Sequence, residues 1–464
     1  SSASSKLIHG GLRYLENYQF RLVREALTER EVMLRLAPHL IRPLEFVLPH
    51  DADMRPAWMI RAGLFLYDHL GRRTTLPGSR RVDLTQGPYR AALAAGYTIG
   101  FTYADCWVDD SRLVVLNAVD ARERGAKILT RARFVRARRQ DGLWHAEIER
   151  GGQRTTETAR GLVNAAGPWV ESTLAATGAD SPGRVRLVKG SHIVVPRLHA
   201  GNQAFILQNN DKRVVFVIPY EGRYSLIGTT DVDFKGDPGD VRISPEEIDY
   251  LCKATGRYFR AAPCPRDVTW SYAGVRPLYD DAHANASEIT RDYVLELDAP
   301  AGAAPLLSVF GGKITTYRRL AEEALAKLAP AMQARGVSLR DQPWTASSSL
   351  PGGDMPNGDF PAFLASVRAA RPWLPAEQAT RMAHAYGTRI DRLLGNAGKF
   401  QDLGRDLGAG LTEREAEYLI DQEWAVTADD MLWRRSKLGL HGGATLWSET
   451  QAWLARRGSS TGAR

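Results

Sequence analysis

Only three cysteines, Cys106, Cys252 and Cys264, occur in 464 residues, with no CxxC pair and no Cys/His cluster. That argues against a disulfide scaffold or a zinc site and points to a reducing compartment. Long apolar runs are missing as well. No stretch reaches the roughly 18 residues a spanning helix needs, and the longest candidate, Pro56 to Tyr67, is interrupted by Arg61. The GxSxG, HExxH, P-loop and EF-hand patterns are absent. So are helix-turn-helix, zinc-finger and RNP patterns. The chain opens Ser1-Ser-Ala-Ser-Ser5 with no Met, basic n-region or apolar h-region, so no signal peptide is expected and the chain reads as entered partway through a domain.

Charge of one sign is only mildly in excess, at 61 Lys+Arg against 53 Asp+Glu, a net +8. Such a balance fits an anionic substrate, an acidic membrane surface or nucleic acid. Lacking any nucleic-acid motif, and with the cations of Arg131 to Arg139 reading as one solvated strand face, no nucleic-acid partner is expected. Hydrophobic residues at 44% and charged residues at 25% are ordinary for globular chains. The length implies two or three domains.

Along the chain, Phe20, Val23, Leu27, Val32, Leu34 and Leu36 share one helical face until Pro38. Residues 126–158 read as β, with two alternating segments about a turn at Asp141-Gly142. Leu162 to Gly167 is a short strand ending in small residues. Strands follow at Ile193–Val195, Phe205–Leu207, Val214–Ile218 and Tyr224–Ile227, then a helix over 244–260. Leu306–Phe310 is a buried strand that runs into Gly311-Gly312 and a helix from about Thr315 to Leu328. A turn-rich linker spans Ser347 to Gly358. Helical signals dominate beyond it, including a Thr412-x-x-Glu415 capping box and a second cap at Thr427 to Asp430.

Several segments could carry chemistry. Gly311 and Gly312 let backbone approach a ligand, and the helix start behind them offers free N–H groups. Lys313 sits in that first turn, where the dipole disfavours a cation. It reads either as a partner for an anionic ligand or as a solvated side chain. His9 and Arg13 are four residues apart and would face one side of a helix beginning by Gly11, as a proton acceptor and an anion grip or as a surface pair. Arg276 and Arg291 lie in turn-like context and would suit a phosphate dianion, or be surface charge. His192 at a strand start would line a pocket or be a satisfied core histidine. Asn164 to Trp169 allows close packing over a strand end.

Taken in order, these segments resemble the FAD-dependent, respiratory glycerol-3-phosphate dehydrogenases over nearly the whole chain. Gly311-Gly-Lys-Ile-Thr-Thr-Tyr-Arg-Arg-Leu-Ala321 is the most specific match. Ser1 to Glu16, Asp105 to Leu113, Lys189 to Val195, Ile227 to Asp231, Gly274 to Pro277 and Thr290 to Tyr293 follow the family's order. The family's opening strand, GxGxxG turn and helix for the FAD pyrophosphate are missing. Their loss would remove a central strand, leave sheet edges unpaired and delete a main FAD contact.

The resemblance implies an α/β FAD-binding, Rossmann-like domain of the glutathione-reductase type, an antiparallel-β substrate domain and an α-helical C-terminal domain. The expected division is a body over 1–340 and a helical domain over 345–464. Within the body, FAD-binding parts are expected at about 1–80, 125–188 and 290–340, and substrate parts at about 81–124 and 189–289. It further implies oxidation of sn-glycerol 3-phosphate to dihydroxyacetone phosphate, with FAD as cofactor and a quinone as electron acceptor. Arg13, Arg276 and Arg291 would hold the phosphate or the C2 oxygen. His9, or alternatively His192, would act as base or orient the substrate, Lys313 would stabilise developing charge, and Tyr14 would line the pocket. FAD would contact Ser1, Ser2, Ser4, Ser5, Lys6, His9, Gly10, Gly11, Ala166, Gly167, Gly311, Gly312, Lys313, Ile314 and Thr315. No metal is expected. The location implied is cytoplasmic, peripheral on an anionic inner-membrane face, with the mixed aromatic and basic segment 56–67 as anchor or, equally, as a core helix. A homodimer is a further expectation. The rival readings are an O2-using glycerol-3-phosphate oxidase and an inactive fragment without FAD.

Overall fold

The computed structural model describes residues 2–51, 54–71, 75–179, 184–211, 213–280, 292–339 and 342–461. Sixteen strands occur among them: β1 (Leu7–Ile8), β2 (Ile41–His50), β3 (Arg80–Asp83), β4 (Ile99–Val108), β5 (Ala132–Gln140), β6 (Leu143–Arg150), β7 (Gln153–Ala159), β8 (Leu162–Asn164), β9 (Val185–Pro196), β10 (Ala204–Gln208), β11 (Val214–Tyr220), β12 (Tyr224–Gly228), β13 (Val232–Asp233), β14 (Trp270–Tyr279), β15 (Val294–Asp298) and β16 (Leu306–Phe310). The helices of the body are α1 (Phe20–Leu36), α2 (Ala57–Leu70), α3 (Gly87–Ala92), α4 (Asp110–Glu123), α5 (Val170–Ala175), α6 (Pro245–Gly256) and α7 (Tyr317–Gln333).

The larger sheet runs β1-β4-β2-β10-β11-β12-β9-β13, with β14 also on β9 and β3 on β4. Side chains alternate faces along a strand, and both faces here are apolar. Val194, Ile206, Ile218 and Leu226 pack under Val23, Leu27, Leu64 and Tyr67 of α1 and α2. Their neighbours Ile193, Val195, Phe205, Leu207, Val217 and Ile227 pack on Leu251, Cys252 and Ala254 of α6. A sheet covered on both sides needs unbroken apolar runs such as Ile193-Val-Val195. β2 pairs with β4 from Ile41↔Val108 to His50↔Ile99. It therefore shares a sheet with the strands of 189–289, and a boundary at 80/81 does not separate sheets.

A second sheet, β15-β16-β8, is small. β8 and β16 run parallel, with Ser308 opposite Asn164. β8 lies at its edge among the described residues, and Val163 is 47% exposed. The third sheet is the β5-β6-β7 meander. Its first turn takes positive φ at Asp141 and Gly142, as a two-residue hairpin requires. The β5 cations do not all share one solvated face. A bulge between Phe134 and Arg136 shifts the register, and Arg139 turns in to bond the Ala304 carbonyl and cover Trp144.

The C-terminal helices α8 (Phe360–Ala370), α9 (Ala376–Tyr386), α10 (Ile390–Leu394), α11 (Glu413–Glu423) and α12 (Gly439–Thr461) enclose their own core around Met382, Ile390, Leu419 and Met431. The Thr412 hydroxyl accepts the Glu415 N–H at 3.3 Å. Glu415 does not complete the capping box, because its carboxylate is taken by Arg381 and the Tyr386 hydroxyl. A buried Arg112–Glu423 pair and an Arg389–Glu123 pair join these helices to α4.

Candidate active site

The segment 2–11 adds β1 to the edge of the larger sheet and meets the turn that follows β16 through His9 and Thr315. β1 pairs with β4 through Leu7↔Trp107 and Ile8↔Cys106. Just before it, Lys6 has φ 59, a left-handed conformation that costs a non-glycine residue about 1–3 kcal/mol and persists where surroundings over-determine it. The surroundings are specific. Lys6 Nζ is buried 2.8 Å from Asp110 Oδ1 and 3.2 Å from the Ser2 carbonyl. Ser4 donates its N–H and hydroxyl to Asp110 Oδ2. Tyr272 donates its hydroxyl to the Ser4 carbonyl at 2.7 Å.

His192 sits in the middle of β9, opposite Gly228 on β12 and Tyr272 on β14. A Cβ on Gly228 would lie 2.2 Å from the imidazole, so only glycine leaves the ring its place. Tyr272 stacks on the other face at 4.8 Å. Ser5 Oγ is 2.9 Å from Nε2, and Nδ1 is buried without a hydrogen-bond partner among the described residues. Burial, with Lys6 and Arg276 nearby, lowers its pKa to about 3, so the ring is neutral at physiological pH.

Arg276 lies on β14, 2.7 Å from Asp231 and 2.8 Å from the Thr230 carbonyl. Gly190 on β9 makes room for it, since a Cβ there would come within 2.6 Å of the guanidinium. Glu247 of α6 braces these strand ends, accepting from Ser191, Thr230 and Lys189. Across from them, the carboxyl ends of β8 and β16 open into turns with Gly167 at φ 58, Gly311 at φ 73 and Gly312 at φ 104. Gly311 approaches the Asp292 and Pro277 carbonyls closely enough that a Cβ would sit 3.0 and 3.6 Å from them, which sets this turn beside Arg276.

The glycine turn also meets the 9–14 segment. Thr315 Oγ1 accepts the His9 N–H at 3.2 Å, and Lys313 Nζ lies 3.7 Å from the centre of the Tyr14 ring. Lys313 precedes the short turn Ile314–Thr316 rather than sitting within α7. Gly11 at φ 81 begins a 3-10 turn over Leu12–Asn17, not an α-helix, so the four-residue spacing of His9 and Arg13 is not a helical one. The Arg13 side chain makes no hydrogen bond or ion pair to the described residues and is half-buried. The Gly10 N–H donates to the Tyr67 hydroxyl at 2.9 Å, which donates to Asp105, itself held by Arg30 at 2.7 Å. Ala166 is held by Asn164 at the end of β8. Ser1 and Arg291 lie outside the described residues.

Asp110, Glu247, Tyr272 and the Arg30–Asp105–Tyr67 relay were not among the expected site residues. Asp105 and Asp110 stand inside the segment Asp105 to Leu113, which carries a sequence signal. Glu247 is a helix N3 residue facing its own cap, and nothing local marks its reach to β9.

Glycine turns at parallel strand ends, facing a buried imidazole and a braced arginine, define the class: an enzyme that holds a nucleotide-type cofactor in a strand-end crevice beside an anionic substrate. The comparisons agree. Residues 1–318 match the FAD dependent oxidoreductase family, and residues 344–451 match the C-terminal domain of alpha-glycerophosphate oxidase. The chain is 54% identical to a glycerol-3-phosphate dehydrogenase of Pseudomonas aeruginosa, over 95% of this chain and 85% of that protein. It is 50% identical to a D-erythritol 1-phosphate dehydrogenase of Brucella abortus, over 95% and 87%. Its fold superposes on the FAD-complexed glycerol-3-phosphate dehydrogenase from Bacillus halodurans with TM-score 0.74 and 25% identity, over 99% of this chain and 83% of that one. The chain belongs to the FAD-dependent glycerol-3-phosphate dehydrogenases.

The residues present fit FAD. Gly312 is exposed, and a Cβ on Gly167 would meet no atom within 4 Å, so the Gly167 turn faces open space and the Gly312 backbone is reachable from solvent. The backbone between them ends parallel strands, where N–H groups can meet a pyrophosphate or flavin edge.

Proposed function

We propose that this chain oxidises sn-glycerol 3-phosphate at C2 to dihydroxyacetone phosphate. The observation that carries it is the 2.9 Å contact between Ser5 and His192, which joins the cofactor-side segment to the substrate-side strand. When bound, FAD supplies the acceptor for the hydride leaving C2. Ser2, Ser4, Ser5, Lys6, His9 to Gly11, Ala166, Gly167 and 311–315 would hold it. Ser1 adds to that set by sequence alone. Arg276, fixed by Asp231, grips the phosphate, and Arg13, with no partner among the described residues, adds a second cation. Arg291 is assigned the same role from sequence.

His192 and His9 are the groups able to take the C2 hydroxyl proton. His192 is neutral, and its Nδ1 has no partner among the described residues. Its low pKa makes it a weak base in the substrate-free protein, and a phosphate dianion beside Arg276 would raise it by offsetting the cations. Lys313 places positive charge beside Tyr14 where the flavin-side turn ends. The test is Arg276→Ala in FAD-loaded protein. A fall in kcat/KM of about 100-fold or more is expected for loss of a charge-assisted phosphate contact, and a value within threefold of the parent would refute the assignment. Because a relative 50% identical is a D-erythritol 1-phosphate dehydrogenase, kcat/KM for both phosphates should be compared, with glycerol 3-phosphate expected to win.

The domain reading that goes with this is a flavin part around the β15-β16-β8 sheet and the β5-β6-β7 meander, a substrate part on the ten-stranded sheet, and a helical domain over 345–464. We further propose a quinone as electron acceptor, a peripheral position on the cytoplasmic membrane face, and a homodimer. No helix among the described residues is long and apolar enough to cross a membrane. Support for surface attachment comes from α2, which buries only Leu64 and Tyr67 and exposes Trp58, Met59, Phe65 and Leu66. Peroxide yield during turnover separates a quinone reductase from an oxidase.

A further inference from the structure

A cavity of about 1040 Å³ lies away from His192 and Arg276, between β2, β4 and the β11–β12 turn on one side and α9 with residues 435–441 on the other. Six guanidinium or ammonium groups line it against three carboxylates. The imbalance is not relieved by ion pairs. Arg381 is taken up by Glu415. Arg42 makes no hydrogen bond or ion pair to the described residues and lies 4.2 Å over the Trp107 ring. The Arg223 side chain likewise makes no bond to the described residues.

Two further cations, the buried Lys437 and the partly buried Arg435, are held at hydrogen-bond distance by neutral oxygens alone. Lys437, 4% exposed, donates to Ser111 Oγ at 2.8 Å and to the Trp433 carbonyl at 2.7 Å. Arg435 donates to the Glu423 carbonyl, with Asp430 only at 4.0 Å. Burial lowers the pKa of both, as it does for cations lacking close counter-charge. His39 in the same wall is 1% exposed, and both ring nitrogens lack a partner among the described residues. Buried polar groups left this way mark a place where a ligand completes the bonding.

We propose that this domain-junction cavity is a second oxyanion site, taking a small phosphorylated or polycarboxylate metabolite through Arg42, Arg223, Arg435 and Lys437. Glu221 and Asp109 in the same wall would accept hydroxyl donors from it, which favours a hydroxylated phosphate over a bare apolar acid. The site touches the catalytic frame at one point. Asp109 accepts from Ser111, which accepts from Lys437, while its neighbour Asp110 holds Lys6.

The test is calorimetric titration of FAD-loaded enzyme with inorganic pyrophosphate. Two classes of site are expected. In Arg42→Glu/Arg223→Glu one class should weaken by about tenfold or more, as loss and reversal of charge-assisted contacts implies, with kcat/KM for the phosphate substrate within twofold. In Arg276→Ala the other class should be lost. Both altered arginines are solvent-facing, and Arg223→Glu alone serves if the double variant does not fold. Trp107 emission should respond to pyrophosphate in Arg276→Ala, and the response should vanish in Trp107→Phe. A single site that disappears with Arg276→Ala, or an unchanged isotherm in the charge-reversed variant, overturns the proposal.

Discussion

Ser5 Oγ lies 2.9 Å from His192 Nε2, across 187 positions of sequence. Ser5 therefore fixes which ring nitrogen is occupied and leaves the buried Nδ1 without a hydrogen-bond partner among the described residues, with Tyr272 stacked on one face and Gly228 clearing the other. Ser5→Ala should lower kcat by about tenfold, a typical cost for losing one orienting hydrogen bond, while KM moves less than threefold. Stopped-flow reduction of the bound flavin checks this. An unchanged reduction rate would show that Ser5 serves only flavin binding or folding.

Gly228 admits no side chain. Its Cβ would lie 2.2 Å from the His192 ring, which is walled by Tyr272 opposite and cannot retreat. Gly228→Ala should lose activity by about 100-fold or more, since displacing a reacting group by about 1 Å carries that order of cost. The substitution Gly63→Ala serves as control, because Gly63 lies within α2 and a Cβ there meets nothing within 4 Å. Equal activity of the two variants, with flavin content matched, would contradict the geometry.

The buried Lys6–Asp110 pair holds a left-handed residue in place. Asp110→Asn removes the counter-charge of an ammonium that is 1% exposed. A loss of about 3–5 kcal/mol is expected, the usual cost of leaving one partner of a buried pair uncompensated. Lys6→Met/Asp110→Leu should be less destabilised than either single variant. Denaturant midpoints at constant m-value decide it, and full additivity of the two single effects would count against a coupled pair.

Much of the fold was legible because local pattern and burial agree. The runs Ile193–Val195 and Val214–Ile218 need both sheet faces covered, and both are. The turn at Asp141-Gly142 and the helix over Phe20–Leu36 carry their own chemistry. The strand-end glycines and His192 were equally visible as local motifs. What escaped was set by distant partners. Glu415 forgoes its cap bond for Arg381, the Phe134/Arg136 bulge turns Arg139 inward, and Glu247 reaches from its own helix cap to Ser191 and Thr230. Each is a competition between a local bond and a tertiary one, and sequence spacing records only the first.

Four buried histidines make the protein acid-sensitive. Burial is the first cause in each case, lowering His39 and His192 to about 3 and His199 and His384 to about 4. The unfolded chain takes up these protons near pH 6.5 and the folded chain does not, so stability is fully present above that value and falls as pH drops toward 4 and then 3. Each histidine contributes at most about 1.4 kcal/mol per pH unit over that window. Denaturation midpoints from pH 7.5 to 5 should decline, and His199→Phe should flatten the slope. A flat profile over this range would show that these rings are protonated in the folded state.

On α2, Trp58 is 70% and Phe65 56% exposed, with Arg55 and Arg61 beside them, while Leu64 and Tyr67 anchor the helix to the sheet. Tyr18, 80% exposed, belongs to the neighbouring turn. The helix thus has an inner edge fixed by packing and an outer face whose Trp58 and Phe65 stay largely exposed, with the Phe65 ring against the His69 ring of its own helix. Burying two aromatic side chains in a lipid interface gives about 3–5 kcal/mol at ordinary area coefficients. Trp58→Ser/Phe65→Ser should therefore release the protein from anionic vesicles in flotation while leaving flavin content and kcat with a soluble dye acceptor within twofold. Rising salt should weaken binding of the parent only in part, because the arginine attraction is screened and the aromatic burial is not. Complete release of the parent by salt would assign the attachment to charge alone and remove the role proposed for the exposed face of α2.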